Sequence, residues 1–286
     1  MGDGDGWAQC DLGHRHWGRY GAAGLLAFHR EPAGGLYILL QQRAWWGSGG
    51  GTWGMFGGGR HSHEDAVTAA LRETSEECTL DLTGVRVHGF TLDDHGGGWG
   101  FTTVIASVAS LQDVRPASME TRDASWVPAT EVTGLRLFAP FEATWLKLSS
   151  AMSRLVLVVD AANVMGSRPD GWWRDRAGAA ERLRDQLVPL ADSGVTGLPE
   201  GVLPYDRCFP EVMLVVEGAA RNVVGTEGVR VVAAKGSGDD AIVDLVAASE
   251  PDATYLVVTA DRELRARCEA EGATVTGPGW LLDRLG

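Results

Sequence analysis

The sequence is poor in cysteine, poorer still in lysine, and has no long apolar run. The four cysteines, Cys10, Cys78, Cys208 and Cys268, are far apart and form no C-x-x-C pair. In a chain of 286 residues this excludes a dense disulfide framework. It reads as reduced thiols in a cytoplasm. Lys147 and Lys235 are the only lysines, and the formal net charge is −13. That balance argues against non-specific binding to nucleic acid, which needs a basic surface. It suits an enzyme whose charged substrate arrives with a divalent metal. No apolar stretch reaches the roughly 18 residues of a membrane span. Met1–Trp7 is rich in Gly and Asp and lacks a basic, apolar leader, so no secretion signal is expected. The expected location is cytoplasmic, with no membrane partner. The sequence does not specify an oligomeric state.

Hydrophobic residues make up 44% of the chain, enough for two buried cores. The pattern divides into two α/β domains, 1–150 and 151–286, with the boundary near Ser149–Ser153. In the first, Ala22–Phe28, Leu36–Gln41 and Phe101–Val108 read as strands and Glu64–Cys78 as an amphipathic helix. Gly47–Gly51 and Gly96–Gly98 read as flexible loops. The second opens on a continuous apolar run at Leu155–Val159. It then predicts helix Ala177–Leu187, strands Val212–Val216 and Val229–Ala233, helix Asp239–Ser249, strand Thr254–Thr259 and helix Asp261–Glu271. Continuous Val/Leu strands separated by helices predict a mainly parallel sheet covered on both faces.

The densest chemistry lies between Gly58 and Leu80. Gly58 is followed by Glu64 and then by Arg72-Glu73-Thr74-Ser75-Glu76-Glu77. Ser62 is placed to cap the helix, with Asp65 as its capping-box partner. Glu73, Glu76 and Glu77 share one helical face at i, i+3 and i+4, roughly 5–6 Å apart at Cβ. Three like charges there repel unless a cation lies between them. Oxygen ligands suit Mg²⁺ or Mn²⁺. Arg72 can hold a carboxylate by two hydrogen bonds. A loop at Gly57-Gly58-Gly59 lets backbone approach and offers a carbonyl to the metal.

This spacing resembles the Nudix box, G-x5-E-x7-R-E-U-x-E-E-x-G-U, where U is aliphatic. Thr74 stands where an aliphatic is usual, Thr79 where Gly is usual, and Phe56 where Pro is often found. The resemblance covers the first domain: Trp53–Gly58 is similar to the entry to the box, and Glu120–Pro128 to a late acidic strand with a W-V-P turn in MutT-like members. It implies an α/β/α sandwich with a mixed sheet and cleavage of a nucleoside diphosphate linked to a moiety X. It also implies that Glu73, Glu76 and Glu77 bind metal with the Gly58 carbonyl, that Glu64 supports them and that Arg72 orients a glutamate. Glu120 or Asp123 is a further base or ligand, or an ordinary surface acid. Arg43 and Gly57 are candidates for substrate phosphate, and a surface ion pair is the alternative for Arg43. Trp45 and Trp46 either stack a base or pack on the sheet. Asp93-Asp94-His95 reads as a turn or as a substrate neighbour.

The second domain carries acids just past strand ends, where open α/β sheets place their sites. Asp160, Glu217 and Asp261 stand there, and Gly236-Ser237-Gly238 leads into Asp239-Asp240. Asp160–Asn163, Gly236–Asp244 and Val258–Arg262 together resemble PIN-like NYN nucleases of the YacP-like branch. That resemblance implies a three-layer α/β/α fold. It implies Mg²⁺ or Mn²⁺ on Asp160, Asp240 and Asp261, with Asn163, Asp239 and Asp244 in support, and single-stranded RNA as substrate. Helix capping is the plain alternative for each aspartate, Asp239 above all. Arg168, Trp172, Trp173 and Arg174 form a basic-aromatic cluster that either stacks bases and contacts phosphate or packs against the first domain. Cys10, His14 and His16 have a C-x3-H-x-H spacing, but no fourth zinc ligand is evident in the sequence. The leading expectation is a nucleotide pyrophosphohydrolase fused to an RNase. The alternatives are a nucleotide-sensing domain regulating the nuclease, and an inert interaction module in the second half.

Overall fold

The computed structural model describes residues 2–169, 171–248 and 250–285. The two domain termini expected at Met1 and Gly286, and the helix end expected at Ser249, lie outside the described residues. The chain forms two units: one runs up to Met152 and includes Pro204–Asp206, and the other takes Ser153–Leu203 and the chain from Arg207 onward. No helix among the described residues is long and apolar enough to cross a membrane.

The first unit opens with a hairpin, β1 (Trp7–Gln9) and β2 (Arg15–Trp17). Its sheet is organised by β3 (Ala22–Arg30), an Ala/Leu-rich strand buried along most of its length. One edge of β3 pairs in parallel with β8 (Gly100–Ser107), and β7 (Arg86–Asp94) adds to β8 antiparallel. The other edge is shared. Its first half pairs with β6 (Phe56–Gly59) and its last residues with β4 (Leu36–Arg43). Strands β5 (Trp53–Gly54) and β9 (Thr121–Pro128) complete the sheet on β4. Parallel and antiparallel pairs together make it mixed, as expected. The turn after β7 uses Gly96, Gly97 and Gly98, all with positive φ near 63–76°, which only glycine adopts without cost.

Helix α1 (Ala66–Glu77) lays Ala69, Ala70 and Thr74 on this sheet, against Ala23, Leu25, Leu39 and Phe56. Thr74 is fully buried, and its Oγ1 donates to Ala70 O at 2.8 Å. The hydroxyl therefore finds its partner within the helix, and the methyl packs as an aliphatic would. Thr79 also has a local reason: its N–H donates to Arg115 O (3.0 Å) and its Oγ1 accepts from Arg115 N (2.9 Å). The helix cap differs from expectation. Asp65 caps α1 by accepting from Thr68 N at 2.7 Å, while Ser62 is tied to Asp3. Ser62 lies too far before the first helical turn to reach its orphan N–H groups. Helix α2 (Ala139–Ser149) follows; Pro140 lies in its first turn, where proline is tolerated.

The second unit is a five-stranded parallel sheet in the order β13 (Val229–Ala233), β12 (Glu211–Val216), β10 (Arg154–Asp160), β14 (Ala253–Val258), β15 (Thr274–Thr276). β10 is central and buried on both faces. Helices α3 (Ala161–Gly166), α4 (Arg176–Ser193), α5 (Gly238–Ala247), α6 (Arg262–Ala270) and α7 (Pro278–Leu282) connect or follow the strands. A short strand, β11 (Arg207–Cys208), bridges to Val195. Helix α4 runs past the expected end at Leu187 and carries Pro189 inside it. Burial of Leu190 on that extension offsets the hydrogen bond that proline removes. All four cysteines are free, buried thiols.

Candidate active site

In the first unit the three glycines are strand, not loop. Gly57 and Gly58 pair with Gly24 and Ala23 across β6 and β3. A Cβ on Gly58 would lie 2.4 Å from Glu73 Oε2, and one on Gly57 would lie 2.4 Å from Ala23 O. Glycine at 58 therefore lets a carboxylate from α1 sit directly on the strand backbone.

Arg72 does more than hold one carboxylate. Its Nε and Nη2 donate to the two oxygens of Glu64 at 2.7 and 3.0 Å. Its Nη1 donates to Glu73 at 2.8 Å and reaches Glu76 at 3.3 Å, and Nη2 also donates to Gly59 O at 2.9 Å. One planar guanidinium thus gathers Glu64, Glu73 and Glu76. Glu64 is buried; the Arg72 hydrogen bonds, helped by His61 N–H, hold its carboxyl at about 2. Burial pushes Glu73 above its ordinary value, against the pull of Arg72. Glu76 is the most exposed of the set.

Glu77 is held separately. Its Oε2 accepts from Gln41 Nε2 at 3.0 Å and from Gly57 N at 3.2 Å. Burial drives its pKa up to about 7, and the Gly57 N–H and the Arg43 charge pull the other way. Gln41 in turn accepts from Thr121 Oγ1 at 2.8 Å. Gln41 is a residue that sequence reasoning missed; the signal was a polar pair, Gln41-Gln42, ending an apolar strand. The network reaches β9 through Thr121, not Glu120. Glu120 is exposed, and its backbone carbonyl accepts from Ala44 N. Arg43 donates to Ser48 O at 2.8 Å and covers the Phe138 ring. Trp45 and Trp46 follow it, 62% and 70% exposed, and the Arg122 guanidinium of β9 lies over the Trp45 ring.

Three glutamates in the last turn of α1 sit at the negative end of the helix dipole, and that turn contains no basic residue. Repulsion, dipole and burial all disfavour this charge unless a cation offsets it. The side-chain donor set is all oxygen, and it fits a hard divalent ion.

In the second unit a cavity of about 490 Å³ opens at the carboxyl ends of the strands. Asp160, Glu217, Asp239 and Asp261 line it, with Asn163. It lies where β12 and β14 leave β10 on opposite sides, a topological switch point. Asp160 caps α3 through Asn163 N (3.1 Å) and accepts from Thr259 Oγ1 (3.0 Å). Burial first, then Asp239 and Glu217, raise its pKa. Asn163 Oδ1 accepts from Ala260 N at 2.8 Å, clasping the two strand ends. Asp261 caps α6 through Glu263 N and Leu264 N. Asp239 does not act as a cap, because Ser237 does.

One expected ligand, Asp240, and one expected supporting residue, Asp244, fall outside this cavity. Asp240 is exposed and pairs with Arg267 at 2.7 Å. One residue along a helix is a turn of about 100°, so Asp239 faces the cavity and Asp240 faces away. Asp244 is likewise exposed and absent from the lining. Glu217 lines the cavity instead, accepting from Gly238 N at 2.7 Å and facing the same space. Trp173 of the basic-aromatic segment is exposed, edge-on to Trp172.

Residues 19–148 match the NUDIX domain family model. A Mycobacterium tuberculosis protein named "Putative 8-oxo-dGTP diphosphatase 3" is 42% identical over 161 residues, spanning 54% of this chain and 74% of that one. A "Nucleoside triphosphate pyrophosphatase/Nudix hydrolase fusion protein" of Bifidobacterium longum is 35% identical over 156 residues, spanning 53% of this chain and 32% of that one. Among solved structures, the Nudix hydrolase RenU of M. smegmatis is similar, with 38% identity and a TM-score of 0.49, over 51% of this chain and 93% of that one.

Proposed function

The chain belongs to the Nudix hydrolase family through its first unit, and from that premise we propose that it is a divalent-metal-dependent nucleotide pyrophosphohydrolase acting on nucleoside triphosphates. The observation that carries this reading is the arrangement around α1. Arg72 gathers Glu64, Glu73 and Glu76, while Glu77 is buried beside Gly57. Glu73, Glu76 and Glu77 would hold Mg²⁺ or Mn²⁺. Bound there, the ion would supply Lewis acidity that acidifies water and offsets charge on the phosphoryl oxygens. Gly58 leaves room for Glu73, and Glu64 fixes Arg72 by a two-pronged pair. Arg43 and the β6 backbone are the candidates for binding phosphate. The exposed Trp45 and Trp46 offer faces for a base. The names of the relatives support a triphosphate substrate, with an oxidised guanine nucleotide first among those to try.

The test is a panel of 8-oxo-dGTP, the ordinary nucleoside triphosphates, ADP-ribose and dinucleoside polyphosphates, with the full chain and Mg²⁺ or Mn²⁺. A triphosphate should be split with release of pyrophosphate. Glu76→Gln should remove that turnover without loss of stability, because Glu76 is exposed and only loosely held by Arg72. Failure of the wild type on every member, or undiminished turnover in the variant, overturns the reading.

For the second unit the favoured reading is a PIN-like, metal-dependent nuclease acting on single-stranded RNA. It is supported by four carboxylates facing one cavity at the switch point. Asp160, Glu217, Asp239 and Asp261 would hold the ion. Asp160→Asn should abolish RNA cleavage yet fold, since asparagine also caps helices well. Cleavage that persists in this variant removes the assignment. No cleavage by the wild type favours an inert or nucleotide-regulated module.

A further inference from the structure

The β1–β2 hairpin carries a cluster that the pyrophosphatase chemistry does not use. Cys10, His14 and His16 bring one donor atom each within 4.8 Å of one another. The hairpin register explains why. Ala8 pairs with His16, and side chains two residues apart on a strand share a face. Cys10 follows Ala8 by two, and His14 precedes His16 by two, so all three emerge on the same side. The turn between them is closed by Cys10 N–H donating to His14 O (3.1 Å) and Gly13 N–H donating to Cys10 O (2.9 Å).

A second observation points to a ligand. His16 Nε2 is shielded from water and has no hydrogen-bond partner. A buried ring nitrogen left unbonded is uncommon and costly; coordination would satisfy it. A candidate for the fourth ligand, not evident in the sequence, lies on the β7–β8 turn. The His95 ring centroid lies 4.8 Å from that of His16. His95 Nε2 lies 3.3 Å from Asp93 Oδ2, the carboxylate partner that metal-bound histidines usually have. This leaves its Nδ1 for the ion. Trp99 stacks on His16 at 3.9 Å and donates to Gly18 O, screening the cluster.

We propose that Cys10, His14, His16 and His95 form a zinc site that pins the β1–β2 hairpin to the β7–β8 turn. One thiolate with three imidazoles selects Zn²⁺ over the hard ions of the glutamate site. Donors on one tetrahedral zinc stand about 3.3–3.7 Å apart. Drawing the Cys10, His14 and His16 donors, now within 4.8 Å of one another, to that spacing takes a movement of roughly 1 Å; His95 would join them by side-chain rotation from its place beside the His16 ring. Binding releases the Cys10 thiol proton to solvent.

The experiment titrates metal-stripped full-length protein with Co²⁺. One equivalent should produce visible ligand-field bands and a thiolate-to-cobalt charge-transfer band, bleached by one equivalent of Zn²⁺. The glutamates of α1 contain no sulfur and cannot give that charge-transfer band, so the two sites are read independently. The band should vanish in Cys10→Ser. Because Cys10 is buried, the exposed His14→Ala is the second variant, and there Co²⁺ affinity should fall at least about tenfold. Absence of the charge-transfer band in the wild type overturns the site. So does a band that survives Cys10→Ser, or an unchanged affinity in His14→Ala.

Discussion

Replacing Glu77 with glutamine is expected to lower nucleotide turnover about a thousandfold while making the metal-free protein more stable at alkaline pH. The loss corresponds to about 4 kcal/mol of transition-state stabilisation, the scale of removing one key electrostatic group. The gain follows from burial. The Glu77 pKa is raised from 4.5 to about 7 in the folded chain. Its contribution to stability is therefore fully present below pH 4.5 and is lost as pH rises through 7. The loss is roughly 3 kcal/mol at pH 8. Glutamine has no charge to bury and can still accept from Gln41 and Gly57. The comparison uses kcat/KM with Mg²⁺ and denaturant melts with chelator at pH 5 and pH 8. Wild type should lose stability relative to the variant on going to pH 8, and Mg²⁺ should narrow the gap. A variant that keeps a tenth of the activity, or that is the less stable at pH 8, would contradict this account of Glu77.

Arg72→Lys should cost about a hundredfold in kcat and about 2–3 kcal/mol in stability. Lysine keeps the charge, but its ammonium is a single point. It cannot donate to both Glu64 oxygens, to Glu73, to Glu76 and to the Gly59 carbonyl at once. The deficit should also have a pH signature. Glu64 is held at about 2, chiefly by the Arg72 hydrogen bonds. Its stabilisation is present above pH 4.5 and lost as pH falls towards 2. The lysine variant should therefore show a shallower loss of stability on acidification than wild type. Equal acid limbs, or undiminished kcat, would mean that Arg72 is not the organiser of the site.

Local spacing was a reliable guide to which side chains share a helix face. Glu73, Glu76 and Glu77 on one face follow from 3.6 residues per turn, and α1 forms as expected. The two threonine departures were opaque in sequence, because their explanation is a pair of hydrogen bonds. Thr74 bonds back to Ala70, and Thr79 pairs with Arg115, 36 residues away. The cap was misread because both Ser62 and Asp65 suit the role; Asp3, far off in sequence, claims Ser62. Asp239 and Asp240 are adjacent in sequence and equally acidic. Only the orientation of α5 on its sheet decides that Asp239 faces the cavity.

By itself, then, the sequence determined the family chemistry of Gly58–Leu80, the two α/β halves and the strand-end positions of Asp160, Glu217 and Asp261. These rest on backbone periodicity and local spacing, which a linear string records. Tertiary structure alone decided that one arginine gathers three carboxylates and that Gln41 anchors Glu77. It also turned Glu217 and Asp239 towards the strand-end cavity and Asp240 away from it, and it brought His95 to the Cys10–His16 hairpin. Each of these depends on strand pairing or helix rotation between distant segments. Burial and charge there are properties of the packed assembly, not of any one stretch of chain.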